Sequence, residues 1–214
     1  MKDFGAEKKD LLLYVADADA EAFLKAILEK PKALAIRDIS FDIWRHPGKD
    51  AGMVQTGAEL ARRLKGKYQK SLLVWDHHGS GRERRQTPET VQTDIQRKLD
   101  SFTWASNSAI IILIPELEEW LWHCENALLA YWKLDKEQLQ SLLEERSQKL
   151  GITVAKLKTE QPKELFEHIM RDRLRRTISP RDFAAIGKQA GIDNLRQCKT
   201  FCSLVTVLRD WFAA

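Results

Sequence analysis

Four short apolar segments, each followed by a segment with helical periodicity, most constrain what this chain can fold into. Residues 11–16, 39–45, 71–75 and 108–114 have the length and the apolar content of strands. Parallel strands need crossover connections, usually helices, and these helices cover both faces of the sheet. The alternation therefore predicts an α/β fold of three layers, with a mainly parallel sheet of four or more strands and residues 39–45 at its edge.

The strand pattern stops after Leu134, and only helical periodicity follows. Residues 136–150, 162–176, 180–190 and 193–212 are predicted helices, with Gly151 and Gly191 as helix stops and Asp193 as a cap. The sequence thus predicts an α/β domain at residues 1–133 and an all-helical extension at residues 134–214 that packs on it.

Charge, apolar runs and cysteines exclude some classes of protein. The 35 Lys and Arg residues against 31 Asp and Glu residues leave a net charge of +4, which does not by itself indicate nucleic-acid binding. The longest apolar run, residues 109–115, is too short to span a bilayer. Cys198 and Cys202 lie one helical turn apart, and the three cysteines match no zinc pattern, so we expect a reducing cytoplasm and no membrane.

Acidic residues follow three of the four predicted strands. They are Asp17 and Asp19 after the first, Asp76 after the third, and Glu116, Glu118 and Glu119 after the fourth. Open α/β sheets carry their sites just outside the carboxyl ends of the strands, and carboxylates suit Mg²⁺. The pattern predicts one divalent-metal site, with Asp17 a better ligand than Asp19, which we interpret as the N-cap of the first helix.

The loop after the third strand carries several groups that can do chemistry. Asp76 could bind a metal ion directly, and His77 or His78 could be a ligand or a proton shuttle near neutral pH. Three arginines follow within the next residues and could contact phosphates: Arg82, Arg84 and Arg85. Solvated arginines are the alternative interpretation of this run.

The segment after the fourth strand is predicted to be a helix over residues 115–131, opened by Pro115. Its apolar stripe is expected to lie in the core, which leaves Glu118 and Glu119 pointing elsewhere. Trp120 and Trp122 are interpreted as packing residues, and the dipole of the helix accounts for one or two of its first-turn glutamates.

The order of strand, acid and helix resembles the Toprim-like domains of OLD-type nucleases. The match covers roughly residues 11–130 and includes Asp76 after the third strand and the run Pro115-x-x-Glu118-x-Trp120. The chain also looks like small Toprim-like proteins of bacterial defence cassettes and mobile elements. The resemblance implies one or two divalent metals, held by a Glu after the first strand and by an Asp-x-Asp, for phosphodiester cleavage. Ala16 stands at the position of that Glu, and His78 at the second Asp.

The resemblance implies a metal-dependent phosphodiesterase or nuclease that acts in bacterial defence against phage or other foreign DNA. Asp76 and Glu118, with Asp17 or Glu116, would hold Mg²⁺ or Mn²⁺. His78 would shuttle protons, and Arg82 or Arg85 would stabilise the developing charge.

Two alternatives stay open. In the first, Ala16 and His78 mark a catalytically degenerate, regulatory or partner-binding subunit of a multi-protein defence system. In the second, the chain is a plain nucleic-acid-binding protein that uses its arginine clusters.

Overall fold

A four-stranded parallel sheet forms the centre of the fold. The computed structural model describes residues 7–214, without the side chain of Thr103. In this range the strands are β1 (Lys9–Val15), β2 (Phe41–Arg45), β3 (Tyr68–Asp76) and β4 (Ser108–Leu113). Neighbouring strands pair in parallel in the order β2–β1–β3–β4. The α/β class, the parallel sheet and the edge position of β2 are confirmed; residues 1–6 of the predicted first domain lie outside the described residues.

Alpha-helices, joined by loops, connect the strands and continue after the last of them. Up to residue 133 they are α1 (Ala18–Leu28), α2 (Pro31–Leu34), α3 (Lys49–Leu64), α4 (Pro88–Leu99), α5 (Glu118–Trp122) and α6 (Glu125–Trp132). After it they are α7 (Lys136–Leu150), α8 (Val154–Glu160), α9 (Pro162–Glu167), α10 (Pro180–Gln189), α11 (Ile192–Leu195) and α12 (Lys199–Phe212). None of the helices in the described range is long and apolar enough to cross a membrane.

Both faces of the sheet are covered, as its apolar strands require. In β1, Leu11, Leu13 and Val15 pack with α1, α12 and other helices, whereas Leu12 and Tyr14 pack on the opposite face with α3 and α4. Strands that are apolar at every position are typical of parallel sheets buried on both faces. The predicted three-layer arrangement is thus present in the structure.

Several predictions about helices are wrong, and one helix was missed. The helix predicted to start at Pro115 begins at Glu118, because residues 115–117 are not helical and the backbone N–H of Leu117 donates to the Asp76 carboxylate instead. Helix α8 was not predicted; the Thr153 hydroxyl accepts a hydrogen bond from its first turn. Asp193 does not cap a helix but pairs with Arg196, and the helix predicted over residues 193–212 is divided into α11 and α12.

The helices after residue 134 share one hydrophobic cluster with α1 and one face of the sheet. Lys30, which follows α1, donates hydrogen bonds of 2.7 Å to the carbonyl oxygens of Gly187 and Ala190. Trp122 Nε1 donates to the carbonyl of Pro162 at 2.9 Å. These contacts bring the start of α9 close to α5, although the domain boundary itself stays a prediction.

Replacing Gly187 with Ala should destabilise the contact between α10 and α1. A methyl group there would lie 3.0 Å from Cβ of Ala26 and 3.2 Å from the carbonyl oxygen of Phe23, so the helices must separate. Overpacking costs roughly 1–3 kcal/mol, against a helix-propensity gain of about 1 kcal/mol. We expect a net loss of about 1 kcal/mol in the free energy of unfolding, measured in urea. Gly66→Ala, which meets nothing within 4 Å, is the control; equal stability of both variants would contradict the prediction.

Candidate functional site

Acidic residues from the ends of all four strands lie at one edge of the sheet. The carboxyl ends of parallel strands share an edge, so residues that follow different strands can meet there. The six acids are Asp17 and Asp19 after β1, Asp50 after β2, Asp76 at the end of β3, and Glu116 and Glu118 after β4. Acidic residues were predicted to converge at this edge, and the structure adds Asp50, which was not among them.

Asp76 links two neighbouring segments through hydrogen bonds. Its backbone N–H donates to Asp50 Oδ1 at 2.9 Å, and its own Oδ1 accepts from the backbone N–H of Leu117 at 3.0 Å. Burial raises the pKa of Asp76 well above its ordinary value, and the charges of Glu118 and Asp50 raise it further. The carboxylate is therefore held in a fixed position among like charges.

The two glutamates after β4 are the most buried acids of the site. Glu116 is 8% exposed and Glu118 is 6% exposed. Burial raises the pKa of Glu118 to about 8 and also raises the pKa of Glu116. Glu116 Oε1 lies 3.7 Å from His78 Nδ1, whereas its buried Oε2 has no hydrogen-bond partner among the described residues. A buried carboxylate oxygen without a partner is what a bound cation would satisfy.

The acids after β1 divide their roles differently from the prediction. Asp17, not Asp19, is the N-cap of α1: its Oδ1 accepts from the backbone N–H groups of Asp19 (3.1 Å) and Ala20 (2.9 Å). The interpretation of Asp19 as the N-cap was wrong because α1 begins at Ala18. Burial and the charge of Asp17 raise the pKa of Asp19 to about 6. Asp17 thus keeps only Oδ2 free of these bonds.

Lys163 at the start of α9 brings a positive charge to this acidic edge. Burial lowers its pKa, but the charges of Glu118, Glu116 and Asp76 outweigh that effect, so its pKa lies above the ordinary value. No carboxylate oxygen of a described residue lies within the 4.0 Å of a direct salt bridge to Lys163. This ammonium group therefore offsets part of the charge of five carboxyl groups without a direct ion pair to any of them: Asp19, Asp50, Asp76, Glu116 and Glu118. Sequence reasoning missed Lys163, which lies far along the chain.

The loop after β3 is exposed beyond its first residues. His77 is buried, and burial lowers its pKa; its Nδ1 has no partner in the described part of the chain. His78 is exposed, and its backbone N–H donates to the carbonyl of Pro115 at 3.2 Å. It contacts the site only through Glu116. The distance of 3.7 Å between His78 Nδ1 and Glu116 Oε1 is longer than a hydrogen bond, and a proton shuttle at His78 stays a prediction.

The three predicted phosphate-binding arginines are all exposed: Arg82, Arg84 and Arg85. Within residues 7–214 none of their guanidinium groups forms a hydrogen bond or an ion pair. Arg82 lines a separate cleft with Val54 of α3 and Val91 of α4. The guanidinium groups are therefore free to meet a ligand, but Arg82 borders a different cleft from the one described next.

A cleft of about 720 Å³ opens at the ends of β1 and β2 beside these acids. Asp17 and Asp19 line one side of it, and Trp44 and Lys49 line another. Trp44 is 46% exposed, the most exposed of the large hydrophobic side chains described. The volume of the cleft lies in the range of small-molecule sites, and its lining offers an aromatic face next to charged groups of both signs.

The metal-ligand set Asp17, Asp76, Glu116 and Glu118 stays a prediction, as do the catalytic roles of Asp76, Glu118, His78 and Arg82. The structure brings the four acids to one edge of the sheet. Comparison with protein-family models, with curated proteins and with solved structures finds no match for this chain.

Proposed function

We propose that this chain is a Toprim-like, divalent-metal-dependent phosphodiesterase that cuts nucleic acid. The observation that carries the proposal is the convergence of carboxylates from all four strand ends, with Glu116 Oε2 buried and unpartnered among the described residues. Hydrogen bonds fix Asp76 between Asp50 and Leu117, so the central acid is preorganised. The three layers and the four parallel strands are compatible with a Toprim-like fold.

The oxygen donors of this set suit a hard divalent cation, but among the described residues no three of them lie within 4.8 Å of one another, so the side chains must move together to hold one ion. Asp76 and Glu118, with Glu116 or the free oxygen of Asp17, would hold Mg²⁺ or Mn²⁺, which prefer carboxylate oxygens. When bound, such an ion supplies Lewis-acid polarisation of a phosphate oxygen. Raised pKa values of Asp76, Glu116 and Glu118 support this assignment, because buried like charges are stabilised by a cation.

Other residues of the chain would bind and orient the substrate. Trp44 presents an aromatic face on which a base can stack, and the ammonium group of Lys49 lies in the same cleft. His78, beside Glu116, can accept or donate a proton at Nδ1. The three exposed arginines after β3 would contact phosphates of the substrate backbone outside this cleft.

The proposed setting is bacterial defence against phage or other foreign DNA, and it rests on the resemblance in sequence. Asp76 and the run from Pro115 to Trp120 carry that resemblance.

A second candidate function is a non-catalytic, partner-binding subunit of a defence system. Two observations favour it. Ala16 is buried at the end of β1, where the resemblance implies a ligand Glu. Lys163 supplies a positive charge near Glu118 and Asp76, and such a charge can substitute for a lost metal ion.

Cleavage assays with purified protein separate the two candidates. We expect single- or double-stranded DNA or RNA to be cut in Mg²⁺ or Mn²⁺ and to stay intact with chelator. Mn²⁺ at about 100 times its Kd should also stabilise the fold by about 2.7 kcal/mol, measured as a rise in melting temperature. If the protein shows no cleavage and no thermal shift with any of these ions, the result contradicts the enzyme proposal and favours the non-catalytic subunit. Salt-sensitive binding without cleavage would instead indicate a nucleic-acid-binding protein.

A further inference from the structure

A second group of potential metal ligands lies where α5 meets the start of α12. It consists of Glu119 and His123, one helical turn apart, and Cys198, the N-cap residue of α12. One ligand atom from each residue lies within 4.8 Å of the other two, the one such group found among the described residues. Cys198 comes 75 positions after His123 in the sequence, and this long separation is why the sequence shows no zinc pattern.

The separations between these atoms are close to those of tetrahedral coordination. Glu119 Oε1 lies 3.4 Å from His123 Nε2, and Glu119 Oε2 lies 2.8 Å from Cys198 Sγ. Bonds of about 2.0–2.3 Å to a tetrahedral Zn²⁺ separate neighbouring ligand atoms by about 3.3–3.8 Å. The separation between Glu119 and His123 lies in this range, whereas the 2.8 Å between Glu119 Oε2 and Cys198 Sγ is shorter and must lengthen by about 0.5 Å, which rotation of the two side chains would supply.

We infer that Glu119, His123 and Cys198 bind a Zn²⁺ ion that fastens α5 to the start of α12. Thiolate, imidazole and carboxylate together match Zn²⁺, whereas Mg²⁺ and Ca²⁺ prefer oxygen ligands alone. The site differs in this respect from the all-carboxylate set around Asp76. Three protein ligands leave a fourth position for water, and the side chain of His123, 26% exposed, borders solvent.

The surroundings of Cys198 support a ligand rather than a nucleophile. The residue is 2% exposed, and its thiol donates to Glu119 rather than to His123, so no thiol–imidazole pair is formed. Thr200 Oγ1 lies 3.2 Å from Sγ and accepts a hydrogen bond of 2.7 Å from Trp120 Nε1. The Thr200 hydroxyl is thereby positioned to donate to a zinc-bound thiolate, the kind of outer contact that metal sites use.

Zinc content and a cobalt spectrum test the inference. After equilibration with Zn²⁺ and dialysis, we expect about one zinc per chain by elemental analysis. The Co²⁺-loaded protein should show a thiolate-to-metal charge-transfer band. Cys198→Ser should remove that band and weaken Zn²⁺ binding at least about 100-fold. His123→Gln, at a partly exposed position, should weaken binding too and guards against a Cys198 variant that fails to fold.

Two controls separate this site from its neighbours. Cys202→Ser replaces a cysteine one turn along α12 whose thiol donates to the carbonyl of Arg196 instead, and it should retain the zinc. Asp76→Asn should also retain it, so failure of the acidic site would leave this result standing. A wild-type protein that keeps no zinc after dialysis, or a cobalt complex without a thiolate band, would overturn the inference. So would a zinc content that Cys198→Ser and His123→Gln leave unchanged.

Discussion

Asp76→Asn is expected to reduce metal-dependent cleavage by about 10³-fold or more while it raises the melting temperature of the metal-free protein. Asn keeps the acceptor oxygen for the backbone N–H of Leu117 but removes the negative charge that Mg²⁺ or Mn²⁺ needs. The same charge is costly without a metal, because burial and the charges of Glu118 and Asp50 raise the pKa of Asp76. Cleavage activity should therefore fall while stability rises, as at functional sites where like charges are held close together.

The measurement compares initial cleavage rates in Mn²⁺ and melting curves in chelator. Asp38→Asn is a matched control, because Asp38 is exposed and precedes β2 at the opposite edge of the sheet. It should change neither quantity appreciably. Cleavage that persists in Asp76→Asn would identify a contaminating nuclease or a different catalytic residue. Loss of activity together with a lower melting temperature would mean that Asp76 is needed mainly for folding.

Local patterns were sufficient to predict several elements of the fold. Helix α7 spans Lys136–Leu150 as predicted, because its ends carry their own signals: a capping box at Asp135 and a left-handed Gly151 with φ of 67°. Strand β3 is longer than predicted at its start, where Tyr68 pairs with Lys9 of β1. The first residues of β3 include polar side chains and belong to the strand because they pair with β1, so periodicity did not predict them.

The candidate site was predictable only in part, for a similar reason. The rule that acids follow strands identified Asp76 and Glu118, and it applies equally to Asp50, which comes five residues after the end of β2. The turn between the end of β2 and Asp50 separates this acid from its strand, so the sequence pattern did not show it. Lys163 carries no local signal at all, because its position depends on how α9 packs on α5. Tertiary packing thus adds to the site a charge that sequence patterns do not predict.

The metal-free protein should lose stability as the pH rises from about 4.5 to about 8, and Glu118→Gln should remove a large part of that loss. The pKa of Glu118 is 4.5 in an unfolded chain and about 8 in the fold, chiefly because of burial. Between these values the folded chain holds a proton that the unfolded chain has released, so raising the pH favours unfolding. The difference between the two pKa values of Glu118 corresponds to a loss of roughly 4–5 kcal/mol in the free energy of unfolding. This loss is complete above pH 8 and absent below pH 4.5.

Urea unfolding in chelator across this pH range measures the effect. Glu118→Gln should equal the wild type near pH 4.5 and exceed it at pH 8. A residual slope should remain, because the fold also raises the pKa values of Asp76, Glu116, Asp50 and Asp19. Glu137→Gln on the exposed surface of α7 should follow the wild-type curve. Saturating Mn²⁺ should flatten the wild-type curve, because the metal binds the deprotonated carboxylates and replaces the lost proton. A wild-type curve that is already flat in chelator would show that Glu118 is ionised in the fold at little cost, and the burial argument would fail.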